Sequence, residues 1–148
     1  MFWYLLNRAG LLREEESHLK ADLLLKQIYD DKFLDCYQLD FVNLIDRPTI
    51  DVTELKKEEE QAGVRRVLRI IRTCKPKVVC FIGKIACNTY HGSRQCDWGW
   101  QAPIAGARVY LMHFPIRGPA EVPANELRQV KAASDEIKCH RDFRTHFQ

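Results

Sequence analysis

Apolar side chains at Phe2, Leu5, Leu6 and Ala9 recur at the spacing of a helix that buries one face, and Gly10 follows where a C-cap belongs. Residues 11–35 alternate charged and Leu-rich pieces, which predicts one or two short helices joined by surface loops. The stretch "YQLDFVNLID" (37–46) is rich in aromatic and branched side chains and is closed by Arg47-Pro48, the pattern of a strand and a turn. A longer helix is predicted over 53–73, with Thr53 as its N-cap. Val64, Val67, Leu68 and Ile71 form its apolar stripe, while Arg65, Arg69 and Arg72 form a charged one. Glu58, Glu59 and Glu60 lie toward its N-terminal half, as the helix dipole favours.

"KPKVVCFIGK" carries a continuous apolar run that stops at Gly83, and "ARVYLMHFP" (107–115) carries another. Such runs suit strands buried on both faces of a parallel sheet. "IACNTYH" then reads as the helix leaving the first strand. "PANELRQVKAASDEIK" reads as a closing amphipathic helix with Leu127, Val130 and Ile137 inward. Strand and helix in alternation predict an α/β domain of three layers, α/β/α, around a short parallel sheet. Ligands of such sheets bind beyond the carboxyl ends of the strands. Function is therefore to be sought at 43–49, 83–86 and 113–123.

Composition narrows this only a little. The chain has 148 residues, 46% hydrophobic and 29% charged, which suits one ordinary domain followed by a tail at 139–148. No apolar run approaches the ~18 residues of a membrane helix. The opening apolar run lacks a basic n-region and is too short for a secretory signal. A net charge of +3 permits an anionic partner without demanding one. The six cysteines include no C-x-x-C pair, and the five histidines fall at no zinc-finger spacing. The reading is reduced thiols in an intracellular protein.

Candidate chemistry leaves several alternatives open. "VVCFIGKI" is not a phosphate loop, because Val78 and Ile85 stand where that pattern needs Gly and Ser or Thr. Gly83 either turns the chain from strand to helix or lines a ligand loop. The arginine stripe is either a solvated face or a phosphate contact. His113 is either a general acid or a satisfied polar residue at a strand end. "HFPIRGPAEVP" combines prolines with a glycine and so makes a shaped, projecting turn. It either enters a nucleic-acid groove or serves as a rigid connector.

Taken in order, "FWYLLNRAGL", "DFVNLIDRPT", "AGVRRVLRIIRTCKPKVVCFIGKIA", "SRQCDWGWQ" and "RVYLMHFPIRGPAEVP" resemble the mismatch-specific branch of the uracil-DNA glycosylase superfamily, the group that contains thymine-DNA glycosylase. The resemblance spans residues 2–138. It implies a three-layer α/β/α sandwich acting in base-excision repair in the nucleus. The implied activity is hydrolysis of uracil or thymine from a G mispair, without metal or organic cofactor. The implied partner is double-stranded DNA with a mispaired or damaged pyrimidine, bound by a monomer and away from membranes. Asn43 matches a position that contacts the flipped base, where an amide can read a pyrimidine edge. The alternative is a strand-end Asn that caps a turn. Lys84 matches a strand-to-helix turn where it could meet phosphate. His113, Pro115, Arg117 and Gly118 fall where the family places its wedge loop. Gly118 departs from the wedge Leu or Arg and has no side chain to fill a duplex gap; Arg117 is the nearest substitute. The family's Gly-x-Asn-Pro-Gly element, whose Asn positions the attacking water, is not found, since Asn7, Asn88 and Asn125 have no Pro-Gly after them. The expectation is therefore a domain incomplete at its N-terminus, without its first strand and without a catalytic residue of its own. The alternative is a noncatalytic DNA-binding or interaction module derived from the same scaffold.

Overall fold

A computed structural model describes residues 2–45, 56–92, 95–115 and 118–145, with backbone alone for 137–145. In chain order the elements are α1 (Phe2–Arg8), α2 (Glu16–Lys20), α3 (Asp22–Ile28), a π-helical turn (Tyr29–Phe33), α4 (Lys57–Cys74), β1 (Val78–Ile82), α5 (Lys84–His91), β2 (Gly99–Ile104), β3 (Ala107–Met112) and α6 (Glu121–Thr145). The protein is thus mixed α/β, with six α-helices and a small three-stranded sheet among the described residues. None of the described helices is long and apolar enough to cross a membrane. The chain divides into two compact units, residues 1–41 with 115–148, and residues 42–114.

The first unit is helical. Leu5, Leu6 and Ala9 are buried, as the helical spacing of α1 predicts, and α1 packs on α2 and α6. Gly10 leaves the helix with φ +78°, a conformation that favours glycine. The amides of Leu11 and Leu12 then both return to the Leu6 carbonyl. Asn7 secures the same turn, its Nδ2 donating to the carbonyls of Leu12 and Glu14. The rings of Phe2, Trp3, Tyr29, Phe33 and Phe41 gather beyond it, with Phe33 only 2% exposed. Tyr37 Oη and Lys32 Nζ donate to one Glu14 carboxylate oxygen at 2.7 and 3.0 Å. The Tyr37 hydrogen bond, followed by that of Lys32, holds the Glu14 carboxyl below its ordinary range. Burial first, then its bond to Glu14, pushes the Tyr37 phenol up.

The strand expected over 37–46 is not formed at residues 37–45. Their groups are committed elsewhere. Gln38 has φ 54°, the Leu39 amide donates to Phe33, and Phe41 joins the aromatic cluster. Residue 46 lies outside the described residues, as does Thr53. α6 matches the closing helix but begins at Glu121, with Pro123 in its first turn, where a missing amide costs little. Ala124 and Leu127 are buried and Val130 is half-buried.

The second unit holds the sheet, in the order β1-β3-β2. β1 runs parallel to β3, Val78 opposite Arg108 through Ile82 opposite Met112. β2 runs antiparallel to β3, so the sheet is mixed rather than all-parallel. The unexpected strand follows from a two-residue turn: Ala105 and Gly106 have φ 48° and 84°, the positive pair that a tight hairpin requires. β3 is buried at every position but Arg108. α4 packs Val67, Leu68 and Ile71 into a core shared with Phe81, Ile104, Val109 and Leu111, and leaves Arg65, Arg69 and Arg72 exposed. Its N-terminus is closed by the Lys56 amide donating to Glu59 Oε2 at 3.1 Å, and its C-terminus by Lys75 at φ 48°.

Candidate nucleic-acid interface

Parallel pairing brings the C-terminal ends of β1 and β3 side by side, and the chain turns sharply there. Gly83 has φ +87° and donates its amide to the Met112 carbonyl at 2.9 Å. A Cβ at this position would also meet the Phe114 ring at 3.4 Å. α5 begins at once with Lys84. Its Nζ stands 4.9 Å from the centroid of Trp98, and the Trp98 ring stacks on His113 with centroids 3.8 Å apart and planes 19° from parallel. Trp98 is 43% and Phe114 48% exposed, while Lys84 and His113 are half-buried.

Two expected site residues, Lys84 and His113, are therefore brought together. Trp98 and Phe114, which sequence reasoning did not single out, join them. The available signal was the "DWGW" segment, where two large aromatic residues flank a glycine at the start of β2. Chemically this edge offers exposed aromatic surface beside a lysine cation. Bases stack on such faces for about 1–3 kcal/mol each, and a lysine can neutralise a phosphate. An exposed cation–π contact itself contributes only about 0.5–1 kcal/mol.

Asn43 is anchored on α4. Arg66 Nη2 donates to its carbonyl and, at 3.4 Å, to that of Leu44. Gly63 permits this approach, since a Cβ there would overlap the Leu44 carbonyl oxygen. The Asn43 side chain is exposed. Pro115 is half-buried and Gly118 is exposed with φ +84°, both in the helical unit; Arg117 lies outside the described residues. The remaining asparagines serve local structure: Asn7 ties its turn, Asn88 Oδ1 accepts the Cys96 amide at 2.8 Å, and Asn125 Oδ1 accepts from Arg128 at 2.6 Å.

Not all six cysteines are thiols. Cys87 on α5 and Cys96 ahead of β2 are joined as a disulfide, with Cα atoms 6.4 Å apart. The Asn88 bond carries the segment back to α5 and so creates a pairing that linear spacing did not announce. Nearby, burial pushes the Tyr90 phenol up, against a smaller opposing effect of Arg72. No protein-family model matches the chain.

Proposed function

We propose that this chain is a DNA-repair domain of the mismatch-specific uracil-DNA glycosylase type. It shares that group's three-layer α/β/α plan and engages duplex DNA that carries a G·U or G·T mispair. The observation that carries this reading is the Lys84–Trp98–His113 stack beside exposed Phe114, at the strand ends where α/β sheets take ligands. Lys84 meets the phosphate chain, Trp98 and Phe114 offer stacking faces, and Asn43 reads the pyrimidine edge. A mispaired base is the least costly to extrude, so the lesion itself supplies part of the selectivity. Because Gly118 lacks a side chain, Phe114 is the group that fills the gap, as apolar wedges do. Such a domain works in the nucleus.

A second reading rests on the asparagines. None precedes Pro-Gly, and Asn7, Asn88 and Asn125 are occupied in local bonds. The residues present thus support binding more directly than water activation, as a noncatalytic module requires. Fluorescence anisotropy with G·U, G·T and G·C duplexes tests the shared claim. Tighter binding of the mispaired duplexes, lost in Trp98→Ala, is the expected result; equal affinity for all three would overturn it. Base release from the G·U duplex then separates enzyme from module.

A further inference from the structure

We infer that Cys87, His91 and Cys96, when the two cysteines are reduced, form a zinc site. Cys87 and His91 are four residues apart on α5 and therefore share one face of the helix. Cys96 is brought to that face from the segment before β2, held by its amide bond to Asn88 Oδ1. The two sulfurs and an imidazole nitrogen all lie within 4.8 Å of one another. A tetrahedral zinc with bonds of about 2.0–2.3 Å places its ligand atoms roughly 3.4–3.8 Å apart, so only a small adjustment is needed.

The surroundings suit a soft, buried site. Cys87 is fully buried and Cys96 5% exposed, in the core formed with Phe81, Ile104 and Val109. His91 is braced by the rings of Phe81 and Tyr90, at 6.4 and 5.2 Å. Two thiolates and one imidazole select zinc over magnesium or calcium, which prefer oxygen. Three protein ligands leave a fourth position for water or an incoming donor. Disulfide and metal exclude each other, because a sulfur bonded to sulfur is no thiolate. Either state ties the segment that carries Trp98 to the helix that begins with Lys84. The site does not depend on the DNA reading, and its test uses no DNA.

The test uses the full chain treated with a water-soluble phosphine. The phosphine takes oxygen from water as the disulfide gains two electrons and two protons. Zinc content by plasma mass spectrometry is expected to be one ion per chain. Cobalt substitution is expected to give a thiolate-to-metal charge-transfer band and the visible bands of a tetrahedral centre. Cys87→Ser loses both signals. His91→Ala weakens zinc binding at least about tenfold, yet its oxidised form still makes the Cys87–Cys96 disulfide, read by alkylation and mass, which shows that it folds. A reduced chain that takes up no zinc, or a His91→Ala chain that binds it as tightly as the parent, overturns the inference.

Discussion

The two units use the same kinds of ring in opposite ways. In the helical unit, Trp3 meets Phe33 and Phe41 edge-on at 5.6 and 5.5 Å, around a Phe33 that water hardly reaches. In the sheet unit, Trp98 and His113 lie nearly flat on each other with a lysine cation alongside, and the indole remains 43% exposed. Edge-to-face packing among apolar neighbours holds a core together. Stacking beside a charge at the ends of strands costs burial and leaves aromatic surface in contact with water. Aromatic content alone does not tell the two clusters apart; the charge and exposure around the rings do.

Substitutions can break this contrast. Phe33→Ala should cost about 3–5 kcal/mol of stability in urea denaturation, with DNA affinity per folded molecule unchanged. A loss below about 1 kcal/mol would mean that the first cluster is no core. Trp98→Ala should do the reverse. DNA affinity falls by about 1–3 kcal/mol while stability stays within about 0.5 kcal/mol of the parent. Equal losses in both measurements would merge the two clusters into one role.

Lys84→Ala should lower the slope of log affinity against log salt by about one. Arg69→Ala on α4 sharpens the point, since an unchanged slope there leaves that stripe as a solvated face. The smallest effect concerns acid. Glu14 is held below its ordinary range by Tyr37 and Lys32, so its contribution is complete above the ordinary carboxylate value and is lost as pH falls through the lowered one. Glu14→Gln should therefore flatten the acid limb of stability of the helical unit in a pH-resolved melt. A limb that keeps its steepness would remove Glu14 from the account.

Elements with a strong period were legible. α1, α4, β1 and β3 follow their apolar patterns, and Gly83 turns the chain where strand meets helix. One failure comes from distant groups that claim the local backbone and side chains, the other from an atypical strand and turn. Residues 37–45 look strand-like, but Phe33, Arg66 and the aromatic cluster claim their amides, carbonyls and rings. β2 was hidden because its turn is Ala105–Gly106 and its interior contains Pro103. Of the site, Lys84 and His113 were visible as strand-end residues. Trp98 was not, since its position beside them depends on a hairpin that returns it there.

That hairpin also decides how the sheet can grow. β2 borders it with a proline that has no amide to donate, and with a register break between Gln101 and Ile104. Both features discourage a visiting strand. On the opposite border, β1 is a regular run of five residues whose only described ladder is with β3. The two borders therefore differ in regularity, and the β2 border is the one that turns a further strand away, whether from this polypeptide or from another molecule.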